Sequence, residues 1–385
     1  MIGRNVARRF TASVFAVTLL MGLPALAGSS THWEQFRYSL AKDGVNPHEK
    51  TLGVKNVAKL TELWAAKTKG DIYSSAAVVG GTAYVGSYDG KVYAFDASTG
   101  KQVWTAATKG PIMSSPAVVN GVLYIGSLDD NVYAFNASTG AQIWSFTTGD
   151  VVRSSPAVQK GVVYIGSEDD NLYAIDAATG KQVWATPTGG KIDASPAVAG
   201  GMVYIGTLSG AVLAVDSGTG SQVWQANPGG AIYSTPSLYK GAVYVGSTNA
   251  NEYSFDASTG TQNWMETTNG DLWGSQAVDD GVVYVVTGGS GNYQCDAFNA
   301  TTGALIWNSA DIPGELGSPP TVANGVVYFG SKDDSLYALS TKTGAQLWSY
   351  ATKNEVIASP IVVNGTVYLG SNDGNLYAFG LKKKK

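Results

Sequence analysis

The chain has 385 residues, 44% hydrophobic and 14% charged, with a formal charge of −4. Its 48 glycines, 21 tyrosines and 10 tryptophans exclude disorder and point to an all-β globular protein rich in turns. The acidic balance excludes a basic nucleic-acid surface, the single Cys295 excludes an internal disulfide, and two histidines exclude a His cluster or His-dependent triad in each repeat.

From the N-terminus, Arg4, Arg8 and Arg9 precede an apolar run from Phe10 to Leu23, and Ala25-Leu26-Ala27 has the small-x-small form of a signal-peptidase site. The run is too short for a membrane anchor, so residues 1–27 read as a secretory signal cleaved near Ala27. Sec and twin-arginine export both stay open, since Arg8-Arg9 is the only twin-arginine feature. Cleavage takes the formal charge to about −7. With no cysteine at that site, lipid attachment there is excluded. The expectation is a periplasmic or secreted monomer with no transmembrane segment. It would have a leading segment at 28–55, one domain at 56–381, and a solvated basic tail at 382–385.

The tryptophans set the period of that domain. Trp64, Trp104, Trp144, Trp184, Trp224 and Trp264 stand forty apart, and Trp307 and Trp348 follow after 43 and 41. One unit, Ser114–Trp144, divides into four short β segments separated by Asn120-Gly121, Asp129–Asn131 and Ser138–Gly140. Both faces of a strand such as Val122-Leu123-Tyr124-Ile125 are apolar, as a sheet packed between two others requires. Sets of three leading strands begin near Tyr73, Met113, Arg153, Asp193, Tyr233, Trp273, Leu316 and Ile357. The last set lacks a fourth strand, and Asn56–Trp64 is a fourth strand without a blade. The expected fold is therefore an all-β, eight-bladed β-propeller of four-stranded antiparallel blades, its ring closed by the N-terminal strand. The eight tryptophans are expected to dock each blade on its neighbour.

The phrase Ala94–Trp104, AFDASTGKQVW, together with the hairpin pattern NGVLYIGSxDDxVYA, resembles the PQQ-type (pyrroloquinoline quinone) propeller repeat. Trp33–Arg37 is similar to the segment that leads into many such propellers. The resemblance implies two functional groups. One comprises periplasmic quinoprotein dehydrogenases of alcohols or sugars, which hold PQQ with Ca²⁺ at the axis. The other comprises non-catalytic propellers of outer-membrane protein assembly. This chain lacks the adjacent Cys-Cys pair of many dehydrogenases, and its blades are near minimal length, so it resembles the second group more closely.

The acidic turns at Asp89-Gly90, Asp129-Asp130, Asp169-Asp170, Asp333-Asp334 and Asp373-Gly374 read as tight hairpins rather than calcium sites, and make the rim acidic along one arc. The Ser-Pro pairs read as strand starts. The residues that the repeat leaves free are Tyr73, Met113, Arg153, Asp193, Tyr233, Trp273, Leu316 and Ile357, expected to ring one mouth of the axial channel as a plug of side chains or as a binding site. If PQQ bound, Trp273 would stack on it, with Arg153 and Lys191 pairing its carboxylates. Cys295, in the irregular sixth blade, reads as a buried apolar residue. The expectation is an exported, non-catalytic protein-binding platform without catalytic residues, metal or cofactor, whose partner is an envelope or secreted protein. A PQQ-dependent dehydrogenase and a carbohydrate- or peptide-binding module are the alternatives.

Overall fold

Each forty-residue unit forms an antiparallel meander because the turns between its strands carry residues that reverse the chain at positive φ. Blade 1 runs Ala77–Val79, Thr82–Ser87, Lys91–Asp96 and Gln102–Ala107. Its first hairpin turns at Gly80-Gly81, and the equivalent turn in blade 2, Asn120-Gly121, has φ values of 51° and 77°. Positive φ at both central residues is the requirement of a type I′ turn. A computed structural model of the protein describes residues 32–288, 293–315 and 317–382. The expected signal (1–27), Leu316 and three of the four tail lysines lie outside the described residues.

Among the described residues eight such sheets follow one another in a ring. In the last, Ile361–Val363, Thr366–Gly370 and Asn375–Gly380 are completed by Thr61–Lys67, which pairs antiparallel with Asn375–Gly380. The N-terminal strand therefore closes the ring, as the orphan Trp64 strand implies. No helix among the described residues is long and apolar enough to cross a membrane.

Neighbouring blades meet through a repeated interlock. Trp104 donates its indole N–H to the Ala137 carbonyl of blade 2 at 2.9 Å, and Trp64 does the same to Ala97 of blade 1 at 3.2 Å. Seven of the eight tryptophans make this bond, from Trp64 through Trp307. Trp348 differs. The blade that follows it ends at Gly380 without the turn that would accept the bond, and its ring packs edge-on to Phe379 at 5.5 Å. Between blades, Val92, Leu123, Ile125 and Tyr133 belong to one buried apolar cluster.

The acidic turns have a structural cause beyond positive φ. Asp89 Oδ2 accepts the Tyr93 hydroxyl at 2.5 Å and the Lys69 backbone N–H at 3.2 Å, so one carboxylate fastens its own hairpin and the incoming link. Asp129 with Tyr133, Asp169 with Tyr173, Asp333 with Tyr337 and Asp373 with Tyr377 repeat the pair. Where the turn carries Ser209 instead, Leu213 stands four residues on.

The leading segment is part of the ring. Between Trp33 and Asn46 it hydrogen-bonds the innermost strand of every blade in turn. Trp33 exchanges two bonds with Val78, and the Glu34 carbonyl and Gln35 side chain accept from Val118 and Val158. Leu40, Ala41, Asp43 and Gly44 accept from Val198, Leu238, Val278 and Val322, and Asn46 donates to the Val362 carbonyl. These short inner strands would otherwise leave buried N–H groups unpaired. Arg37, fully buried, holds the segment's curl by donating to the carbonyls of Lys42, Pro320 and Gln276. Lys42, also buried, donates to the Phe36 carbonyl, and burial pulls its pKa down to about 7.

Candidate functional site

The residues ahead of each innermost strand converge on the axis because the links that carry them run inward between blades. Tyr73 lies four residues before Ala77, and Met113, Arg153, Asp193, Tyr233, Trp273 and Ile357 hold the same place in their blades. These seven line one axial cavity of about 350 Å³, together with Phe36 of the leading segment. Leu316, the eighth expected member, is outside the described residues.

Two residues past the ring positions, a hydroxyl of blades 2 to 6 accepts the backbone N–H of its counterpart in the preceding blade, while the Ser359 hydroxyl instead donates to the Pro319 carbonyl. Ser115, Ser155, Ser195, Thr235 and Ser275 accept from Ser75, Ser115, Ser155, Ser195 and Thr235. This explains why the repeat keeps a hydroxyl there, with no nucleophile required.

The mouth is divided into unlike sectors. On one side Tyr233 and Trp273 lie 4.6 Å apart, tilted by 31°, and Trp273 is 40% exposed. Across the axis, Tyr73 meets Tyr88 edge-on at 5.6 Å. Between them, blades 3 and 4 carry charge. Arg153 Nε bonds Glu168 Oε1 at 2.5 Å, and its Nη1 points at the Met113 sulfur at 2.8 Å. Lys191 bridges Glu168 at 2.9 Å and Asp150 at 3.3 Å. It stands outside the cavity lining, at the rim.

Asp193 is the exception in this cluster. Its Oδ2 is 3.9 Å from Arg153 Nε, beyond hydrogen-bond reach, and its Oδ1 is buried with no partner. Burial, with the Glu168 charge beside it, pushes its pKa up to about 6. Burial alone would also raise the Glu168 carboxyl. The Lys191 and Arg153 hydrogen bonds hold it below the ordinary range instead.

Sequence reasoning found the first ring but missed Phe36, Tyr88, Asp150 and Glu168. Tyr88 and Glu168 occupy a second position that the repeat leaves free, filled elsewhere by Leu128, Leu208, Thr248, Lys332 and Asn372. The rule that found Arg153 would have found them. In blade 6, Cys295 is buried as expected and its thiol is pushed up by burial. No group of three or more His, Cys, Asp or Glu side chains among the described residues is placed to hold a metal.

Four overlapping matches to a family described as outer membrane protein assembly factor BamB cover residues 53–155, 128–238, 208–313 and 294–383. No curated protein matches the chain in sequence. Among solved structures, BamB from Moraxella catarrhalis superposes with a TM-score of 0.72 at 22% identity, over 85% of this chain and 99% of that one. A quinohemoprotein alcohol dehydrogenase from Comamonas testosteroni gives 0.81 at 16%, over 92% of this chain and 81% of that one. A europium-containing methanol dehydrogenase gives 0.79 at 16%, over 92% and 98%. At these identities the likeness is one of fold.

Proposed function

Since this chain belongs to the family described as outer membrane protein assembly factor BamB, built of PQQ-type propeller repeats, we propose that it is an exported, non-catalytic propeller that holds a protein partner of the cell envelope. The docking face is the one that carries the channel mouth, and the working form is a monomer in the periplasm or secreted. One observation carries this reading. The side chains that the repeat leaves free gather around one open cavity, while the repeated ones are consumed in turns and blade contacts. Outer-membrane protein assembly is the setting that family membership favours.

The donor set at the mouth bears on the quinone alternative. Trp273 offers a ring to stack on, but both cations are already committed, Arg153 to Glu168 and Lys191 to Glu168 and Asp150. A ligand with several carboxylates would also face Asp193 and its unpartnered oxygen. These commitments weigh against PQQ at the mouth. A second reading, a carbohydrate- or peptide-binding module, draws on the Tyr233–Trp273 pair.

The test is cross-linking of the full chain to envelope proteins, with Trp273→Ala and Arg153→Ala as controls. A defined partner whose cross-link is lost in both variants supports the platform. Saturable micromolar quinone binding with dye reduction by alcohols or sugars would replace it with the dehydrogenase.

A further inference from the structure

The polar groups of the mouth leave one position unfilled. Both oxygens of Glu168 are bonded, to Arg153 and Lys191. Both oxygens of Asp150 are bonded, to the Val151 N–H and Lys191. Asp193 Oδ1 alone is buried with no hydrogen bond, while its Oδ2 lies in ion-pair range of Arg153 Nε at 3.9 Å. Three carboxylates face two cations, so the cluster carries one surplus negative charge, and the carboxylate with an unpartnered oxygen is the one that lines the cavity. A buried carboxylate without a donor is costly and is relieved by a cationic partner.

The neighbours of Asp193 in the ring select the cation. Tyr233 and Trp273 occupy the next two ring positions and form the aromatic pair, with Trp273 exposed to an incoming group. A planar guanidinium can stack on an aromatic face and present a fork of N–H donors to a carboxylate, which a compact ammonium does less well. Apart from Arg153, which is paired with Glu168, the remaining walls, including Met113, Pro319 and Ile357, are uncharged and suit an aliphatic stem.

We propose that the channel mouth accepts one guanidinium group, the side chain of an arginine presented by the partner protein, with Asp193 as its counter-ion and the Tyr233–Trp273 pair as its stacking wall. This rests on the platform reading and specifies what the platform grips.

The full chain, labelled with ¹⁵N at its tryptophan indoles, is titrated at pH 7.5 with N-acetyl-argininamide and with its uncharged analogue N-acetyl-citrullinamide. The Trp273 signal is assigned by its loss in Trp273→Phe. The expected result is a saturable shift of Trp273 with the arginine compound and at least about tenfold weaker binding of the citrulline one, a difference of about 1.4 kcal/mol. In Asp193→Asn, with an unchanged unfolding midpoint as the control for folding, that preference disappears. Equal shifts from both compounds, no shift from either, or an unaltered preference in Asp193→Asn overturns the proposal. A shift from maltose with none from the arginine compound does so too, and assigns the aromatic wall to sugar. If the cross-linked partner of wild type is retained by Asp193→Asn, the platform stands and the arginine grip falls. If no partner is cross-linked by wild type, the platform itself fails, whatever the small compounds do.

Discussion

Trp104 and Gly140 face each other across the joint between blades 1 and 2, so close that a Cβ on Gly140 would sit 2.6 Å from the indole. Gly140 also has a φ of 73°. A Gly140→Ala variant therefore meets both backbone strain and a clash. Gly121 has a similar φ of 77° but open space around its missing Cβ, so Gly121→Ala isolates the strain, roughly 1–2 kcal/mol. Gly140→Ala should lose a further ~1–3 kcal/mol from overpacking. Denaturant midpoints for the two variants measure the difference, and equal losses would show that the indole gives way freely.

Glu252 occupies the place that Val92, Val132, Leu172 and Val212 fill in the preceding blades, and it is fully buried with neither carboxylate oxygen partnered. Burial raises its pKa well above the ordinary range. Because the folded state holds this proton and the unfolded state releases it, stability falls as pH rises above the unfolded value, by about 1.4 kcal/mol per pH unit. Glu252→Val should be more stable than wild type at pH 7 by ~1–3 kcal/mol, and its stability should decline less with pH. Urea unfolding at pH 5 and pH 8 checks both. A variant no more stable at pH 8 would mean that Glu252 has a partner after all.

Asp296 stands where Tyr93 and its equivalents stand, between blades, with a buried and unpartnered Oδ1. Burial pushes its pKa up to about 6, from an ordinary 3.8. The group thus withdraws stability between about pH 4 and pH 6, as the unfolded chain ionises first, and the loss is complete above pH 6. Asp296→Asn should remove up to roughly 3 kcal/mol of that decline. Thermal melts from pH 4 to pH 7 should give a flatter curve for the variant. A parallel curve would contradict the assignment.

Arg37 ties the curl of the leading segment to carbonyls 239 and 283 residues away. Arg37→Met would leave the Pro320 carbonyl without its donor and the Lys42 and Gln276 carbonyls to share the Ser237 hydroxyl, at about 1–3 kcal/mol for each group left unpaired. The expected outcome is a folded ring whose segment from 33 to 46 becomes cleavable by protease and whose Val198 and Leu238 amides lose exchange protection. Protection unchanged at these amides would show that the segment holds without its buried cation.

The fold was legible because the repeat states its own constraints many times over. The spacing of Trp64 to Trp264, the double positive-φ hairpins and the missing last strand leave one closed arrangement. The role of the acidic turns was half legible. Positive φ belongs to the second residue, as at Asp130 and Asp170, while Asp89 bonds Tyr93 four positions on, a pairing visible wherever both occur. The site was legible as a set of variable positions but not as chemistry. That one Asp193 oxygen would be left without a donor depends on Glu168 claiming the hydrogen bonds of both cations, which no linear spacing reveals. Phe36, which also lines the cavity, stands outside the repeat altogether.

The segment from Trp33 to Asn46 touches the innermost strands in blade order, one station for each. It works as a gauge of ring size. Removing one forty-residue unit would leave a station facing nothing and shift every later contact out of step, and adding one would leave an inner strand unserved. Modules that can be copied in the genome as readily as these would otherwise drift in number, and this short stretch accepts eight.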